Sequence, residues 1–565
     1  MSLFPDSILA QATSAPVAPA ALAPGLGDDA VLARSIALTT PSPVMVEGMV
    51  RPYLAHQGAA HIAANADIAT WGCALLGDDM GMGKTQVLYG LVAERIANGG
   101  YAIMVAPPVA KAGYQQDLIA SFPHLRFHHL HGRTADFDAL PVADIYFISD
   151  DSQTMQAWLT DTVTEQHQGK DIKVLRANAF VRNARILTRD EIHRDKGAEG
   201  KPSGRAKVML AVGKALRAAH TPIIGATGTL LTNRPVEAYI PLQVLGGDDL
   251  LLALTPGGYK PSAFLFRYCN PQTKQLGART VTSFAGVDLA QMAQLHDNLR
   301  RTIYVRREKS DLGDFLPHSG WVITPIALNG VLARYNRVEK DFLSLVLEED
   351  GPEAMWRKAR AEAITRMQAM WEEAGVAKAQ ATVDYVKNLT DQGRSVVVFY
   401  YHQRTWEALA NGFVNKNIST TTINGSVTGD DRTAAINEFQ AGKATVLLAQ
   451  IRAAGMAVTL TAAADAVFCQ VPWSAGDLKQ AADRILRVDD RTIARAKAGE
   501  RITWHVLQAA QEDGAPTFDM AMWNVLEHKA KVCDAVNAGR PVTMSDESIM
   551  QQALQAWYPQ AKGRY

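Results

Sequence analysis

Between residues 50 and 240, short apolar runs alternate with helical stretches. "CALLG", "YAIMVAPP", "DIYFISD", "NARILTRDE" and "TPIIGATGT" each end in small or polar residues, as buried strands do where they reach a sheet edge. "TQVLYGLVAERIANGG" between the first two reads as a helix closed by glycines. That rhythm predicts an α/β domain with a parallel sheet, whose active groups sit at the carboxyl ends of the strands. Residues 241–380 read as mostly helical, with charged segments such as "LARYNRVEKDFLSLVLEED". The strand rhythm returns in "SVVVFYY", "STTTING", "ATVLLAQ", "DAVFCQVPW" and "ITWHVLQA". The expected organisation is an Ala/Pro-rich flexible lead (1–45), an α/β lobe (46–240), a helical insertion and linker (241–380), a second α/β lobe (381–535) and a tail (536–565). The two lobes share rhythm rather than sequence, and no short-period repeat occurs.

The 565-residue length fits several domains. Apolar residues at 47% and charged residues at 20% fit a soluble, well-packed chain, and no run approaches the eighteen apolar residues of a membrane span. The N-terminal stretch is apolar but has no basic residue before Arg34, so it is not expected to be a signal peptide. Cys73, Cys269, Cys469 and Cys533 are scattered without a CxxC pair, which argues against structural zinc and a disulfide framework and suits a reducing cytoplasm. Lys plus Arg and Asp plus Glu are 57 each, so net charge does not point to nucleic acid.

Chemistry concentrates in three places of the first lobe. "LLGDDMGMGKT" fits the phosphate-loop pattern at Gly83, Lys84 and Thr85, with Asp78 where the first glycine is expected. Gly81 and Gly83 let backbone N–H groups converge on phosphate oxygens at a helix N-terminus. Lys84 would reach the β/γ-phosphates and the Thr85 hydroxyl would hold Mg²⁺. "ILTRDEIHRDKG" places Asp190, Glu191 and His193 after a strand: one carboxylate to hold Mg²⁺, the next to orient and deprotonate water. "GATGTLLTNRP" supplies hydroxyls at Thr227 and Thr229 that would link this acidic box to movement elsewhere.

Taken in order, "MGMGKT", "DEIH", "ATGTLLTNRP", "YVRREKSD", "AAGMAVTLTAAA" and "QAADRILR" resemble superfamily 2 helicase-type ATPases of the Swi/Snf kind, over about residues 50–535. "TNRPVEAY", "FLFRYCNPQTKQLG" and "AGVAKAQATVDYVKNL" resemble the annealing-helicase (HepA-related) branch, although the accessory domains of its animal members are not apparent. The resemblance implies two RecA-like P-loop NTPase lobes that hold ATP and Mg²⁺ between them and translocate on double-stranded or forked DNA without strong sequence preference. It implies that Gln57 reads the adenine edge, that Gly455 lines the nucleotide and that Lys111, Ser426 and Arg452 touch DNA phosphates. Arg484 and Arg487, three apart after Gln480, are expected to share one helix face and act as arginine fingers. The chain departs from the family at Ala457, where glycine is expected, and at Leu486-Arg487-Val488-Asp489-Asp490 in place of His-Arg-Ile-Gly-Gln. Those changes bear on coupling between DNA binding and lobe closure. Trp473 fits a family tryptophan, with buried packing as its default role. Alternative tasks are displacement of a DNA-bound protein such as RNA polymerase, or an ATP-binding switch with little turnover. No membrane partner is expected, and the expected setting is a cytoplasm, for a prokaryotic or viral protein.

Overall fold

A computed structural model describes residues 44–564 apart from 109–110, 168, 199–200, 231–234, 277–278, 285–288, 329–330, 428, 455–457, 513 and 538–548. The Ala/Pro-rich lead therefore falls almost wholly outside the described residues, as does Gly455 with the departure at Ala457. The chain divides into two compact units, Met1–Gly313 with Cys533–Met544 and Asp314–Val532 with Ser545–Tyr565.

The first unit is built on seven strands: β1 (Cys73–Leu76), β2 (Ala102–Ala106), β3 (Phe127–Leu130), β4 (Ile145–Ser149), β5 (Ile186–Asp190), β6 (Ile223–Ala226) and β7 (Tyr304–Val305). They lie in the order β7-β1-β6-β5-β2-β4-β3, with every pairing parallel. β1, β2, β4 and β6 are buried along their whole length, as expected of strands covered on both faces. Their apolar runs are therefore continuous rather than alternating. Helices α1 (Ala55–Trp71), α2 (Lys84–Ile96), α3 (Lys111–Ser121) and α4 (Gly204–Ala218) belong to the same unit. Register decides where the chemistry falls. Ala226 pairs with Leu76 on one side and with Asp190 on the other, so the three loops that follow β1, β5 and β6 leave the sheet side by side.

The second unit carries β8 (Ser319–Ala327), β9 (Val396–Tyr400), β10 (Thr420–Ile423), β11 (Val446–Gln450), β12 (Asp465–Phe468) and β13 (Ile502–Ala510), in the order β8-β13-β12-β9-β11-β10 and again all parallel. Val396, Val398, Leu448, Val467 and Leu507 pack against Val383, Val386, Leu409 and Phe413 of two flanking helices, α5 (Arg360–Thr390) and α6 (Gln403–Asn415). Lys378 of α5 is buried and donates to the Leu507 carbonyl at 2.6 Å and to Asp519 at 2.7 Å, which pins the helix to β13. Within the tail, a helix over Ile549–Lys562 packs onto the unit through Trp557, stacked on Phe342 at 5.1 Å and donating to buried Glu339 at 2.9 Å.

Two parallel-sheet lobes flanked by helices are what the alternating rhythm predicts. The segment 241–380 is less uniformly helical than its charge pattern indicates. It contributes β7 to the first sheet, β8 to the edge of the second and an antiparallel hairpin, Gln272–Leu276 with Arg279–Ser283. Among the described residues β8 has one sheet neighbour, and it tolerates Gly320 and Pro325, residues that depress a strand reading. Among the described residues, no helix is long and apolar enough to cross a membrane.

Candidate nucleotide site

The loop from Gly77 to Gly83 joins β1 to α2. Gly81 and Gly83 have φ of 81° and 83°, a left-handed conformation that a side chain disfavours. At Gly83 the close approach is explicit, because a Cβ there would stand 2.2 Å from the Gln57 amide nitrogen. α2 begins directly after Gly83 with no acidic residue in its first turn, so its N-terminal N–H groups and dipole face the loop unopposed. The Lys84 ammonium lies inside the loop and donates to the carbonyls of Asp78 at 2.6 Å and Asp79 at 3.1 Å. Burial pulls its pKa down, against the upward pull of Glu191, Asp190, Asp78 and Asp79. A helix start, two left-handed glycines and an enclosed lysine form a cradle that suits phosphate.

Gln57 spans α1 and the loop. Its carbonyl oxygen takes the Leu54 N–H at 3.0 Å and its amide donates to the Met82 carbonyl at 3.3 Å. The neighbouring His56 ring contacts the same carbonyl at 2.9 Å. Burial keeps His56 below its usual pKa.

Asp190 closes β5, and burial, then the adjacent Glu191 carboxylate, push its pKa up to about 6. The buried Tyr114 phenol on α3 donates to Asp190 Oδ2 at 2.5 Å, beside the Thr85 side chain. Hydroxyl and carboxylate oxygens gathered beside a phosphate cradle are the hard donor set that Mg²⁺ prefers, so the residues present fit that ion. Glu191 adopts φ 52°, ψ 46°, left-handed for a non-glycine residue, and this turn aims the side chain away from the strand. Its Oε2 lies 3.1 Å from His193 Nδ1 and 3.4 Å from the Thr227 hydroxyl, and His193 Nδ1 and Thr227 Oγ1 are 2.8 Å apart. The Thr229 N–H donates back to Thr227 at 3.1 Å. The loops after β5 and β6 are thus joined through side chains.

Three features of this site escape motif reading. Arg189, on β5 just before Asp190, is fully buried and grips Asp195 with two bonds, Nε at 2.7 Å and Nη2 at 2.6 Å; Asp150 stands 3.3 Å away and the Asp190 carbonyl accepts from Nη1 at 2.5 Å. Burial opposes the charge, but Asp195 and Asp150 outweigh it and hold the guanidinium firmly ionised. Arg306 donates to the carbonyls of Gly77 at 2.7 Å and Gly228 at 2.9 Å and to Asp79 at 2.9 Å, while Arg307 faces Asp78 at 3.3 Å. Asp78, which stands where the pattern has glycine, and Asp79 therefore anchor the cradle to the segment after β7. Tyr114 is the third. Only the "RR" of "YVRREKSD" and the charged ends of "RDEIHRD" gave any signal, and neither says that the charges are buried.

In the second unit, the helix Ala475–Ala482 carries a half-buried Gln480 but stops before the arginines. The expectation that Arg484 and Arg487 share a helix face is overturned. The Arg484 carbonyl accepts from the Leu460 N–H at 2.9 Å instead of continuing the helix, and Ile485 and Leu486 are both buried in the turn. Arg484 is buried, and Arg487 is half-buried with Nη1 on the Thr459 hydroxyl at 3.0 Å. The departure after Arg487 has a local role: Asp489 caps the next helix through the Thr492 N–H at 2.8 Å and takes the Thr461 hydroxyl at 2.5 Å.

The three residues expected at DNA are scattered over both units. Lys111 starts α3 and is half-buried. Ser426 is exposed, its hydroxyl on Asn424 at 2.7 Å. Arg452 is exposed and lies over the Tyr401 ring at 4.9 Å. Trp473 packs edge-on against Trp371 at 4.8 Å.

The fold, two parallel sheets flanked by helices, is that of tandem RecA-like ATPase lobes. Residues 377–489 match the family model for the helicase conserved C-terminal domain. The chain is 28% identical over 391 residues to the DNA annealing helicase and endonuclease ZRANB3 of Mus musculus, covering 67% of this chain and 33% of that protein. It is 23% identical over 472 residues to the SWI/SNF-related matrix-associated actin-dependent regulator of chromatin subfamily A-like protein 1 of Xenopus tropicalis, covering 83% and 43%. A solved structure, the Sulfolobus solfataricus SWI2/SNF2 ATPase core in complex with dsDNA, is 15% identical with a TM-score of 0.36, covering 88% of this chain and 95% of that one. The chain is thus similar to superfamily 2 helicase-like ATPases, annealing helicases of the ZRANB3 kind among them. It spans about a third of the length of the ZRANB3 relatives it matches.

Proposed function

We propose that this chain hydrolyses ATP and uses the cycle to translocate on double-stranded DNA, remodelling forks or re-annealing strands. The carrying observation is the Glu191–His193–Thr227 cluster at the sheet edge shared with the Lys84 cradle. A carboxylate held in a left-handed turn, oriented by an imidazole and a hydroxyl, is built to position and deprotonate a water beside a bound γ-phosphate. Lys84 and the N–H groups around Gly81 and Gly83 bind the phosphates, and Gln57 reads the base edge. Thr85 and Asp190 would hold Mg²⁺, which when bound supplies neutralisation of phosphate charge. Arg484 and Arg487 neutralise charge that develops on the γ-phosphate, and Thr227 and Thr229, with Gln480, carry the hydrolytic state outward. Lys111, Ser426 and Arg452 contact the DNA backbone, so binding is insensitive to sequence and weakens as salt rises. The DNA substrate is inferred from the similar proteins, a DNA annealing helicase among them.

The test is steady-state ATP hydrolysis without DNA and with single strands, blunt duplex and a model fork, beside Glu191→Gln. Stimulation by duplex or fork that disappears in the variant supports the motor, and the fork-to-duplex ratio separates fork work from displacement of bound protein. ATP binding with no turnover on any DNA would sink the motor and leave a nucleotide switch.

A further inference from the structure

Tyr114 stands where the two oxygen donors of the cation site meet, on a helix that no phosphate-loop or acidic-box motif includes. Its hydroxyl donates to Asp190 Oδ2 at 2.5 Å and faces the Thr85 side chain, so one phenol sits between the start of α2 and the end of β5. The side chain is 4% exposed and is held on several sides. Tyr89, on α2, meets its ring edge-on at 6.1 Å and donates to the Tyr114 carbonyl at 2.5 Å. Phe147, on β4, packs against it at 5.9 Å.

We propose that Tyr114 is a positioning residue for the divalent cation, orienting Asp190 as an oxygen ligand beside Thr85 before the metal–nucleotide complex arrives. An ionised carboxylate offers about four lone-pair positions. The phenol occupies one on Oδ2 and fixes the rotamer, which leaves Oδ1 and the other positions for the cation or its water. Hydrogen-bond partners of metal ligands commonly matter by about 10–100-fold in metal affinity. The inference rests on the proposed ATP site and deepens it, because it assigns the cation requirement to a side chain outside the motifs.

Tyr114→Phe keeps the ring against Tyr89 and Phe147 and removes only the hydroxyl. The experiment titrates full-length wild type and variant with fluorescent ADP, once in Mg²⁺ and once in EDTA, and records the melting temperature of each nucleotide-free protein. The expected result is that Mg²⁺ tightens ADP binding about tenfold less in the variant than in wild type, with affinity in EDTA within about twofold. Equal loss of affinity with and without Mg²⁺ would reduce Tyr114 to a packing residue and overturn the inference, as would unchanged Mg²⁺ dependence. If Tyr114→Phe melts far below wild type, Tyr114→Met and Tyr89→Phe are titrated in the same way; an Mg²⁺ dependence lost in Tyr114→Met but kept in Tyr89→Phe supports positioning, and any other pattern overturns it. Failure of wild type to bind ADP at all would instead remove the ATP-site reading on which the inference stands.

Discussion

Arg189 and Asp195 are both fully buried and joined by a two-pronged ion pair, so removing one partner should cost far more than removing both. Asp195→Leu leaves a guanidinium in the interior with two of its N–H groups deprived of acceptors. Breaking a buried pair costs about 3–5 kcal/mol, whereas replacing the whole pair by apolar residues is often near neutral. Asp150 remains 3.3 Å from Arg189 but is already engaged by Arg194 at 3.2 Å, so its compensation is shared and the cost falls toward the lower end of that range. For a unit of this size about 1 kcal/mol moves the melting temperature by roughly 2 °C, which gives a loss of about 6–8 °C in the single variant. Arg189→Met with Asp195→Leu should recover to within about 3 °C of wild type, because Asp150 and Arg194 still pair. Turnover should not recover equally, since Arg189 Nη1 also donates to the Asp190 carbonyl that precedes the Glu191 turn. Thermal melts followed by circular dichroism, with ATPase rates on the same samples, test both halves. A single variant that melts with wild type, or a double variant no better than the single, would refute this account of the pair.

Three further outcomes follow from the geometry. Gly83→Ala forces a side chain onto φ 83° and to 2.2 Å from Gln57, so fluorescent ADP binding should weaken by more than about tenfold while the protein stays folded, the backbone cost being only about 1–2 kcal/mol. Thr227→Val keeps the shape and removes the hydroxyl shared by Glu191 and His193; a hydrogen bond to a charged group is worth about 1.5–3 kcal/mol, so kcat should fall about 10–100-fold with ADP affinity unchanged in equilibrium titration. His402 is held down to about 4, first by burial and then by Arg452 and Arg404, so its neutral form is favoured on folding and the stability it lends is present above its unfolded pKa and lost as pH falls from about 6.5 toward 4. Urea midpoints measured across that window should drop more steeply in wild type than in His402→Phe, and parallel curves would refute the assignment.

Legibility in the chain follows the distance over which each feature is encoded. The parallel sheets could be read because a strand buried on both faces writes a continuous apolar run, and β1, β2, β4 and β6 do so. Lys84 and the Asp190–Glu191 pair could be read because glycine freedom and strand-end carboxylates are local requirements. Reading fails where burial reverses the usual meaning of a residue. "TRDEIHRD" looks like a solvated charged turn, yet Arg189 and Asp195 lie in the interior, and only the fold that brings Asp150 beside them makes those charges tolerable. The arginines after Gln480 fail for the opposite reason. Their helical spacing is sound local logic, but Leu460 takes the Arg484 carbonyl and two apolar side chains must be buried in succession, so tertiary demand ends the helix at Ala482. Tyr114 illustrates the limit most sharply. It is far in sequence from both Thr85 and Asp190, and nothing in "KAGYQQDL" marks its hydroxyl as polar business inside an apolar helix face. A buried phenol needs a partner, so the useful question to put to such a helix is which distant carboxylate its tyrosine will find. Here the answer is the one carboxylate that closes the central strand beside the phosphate cradle.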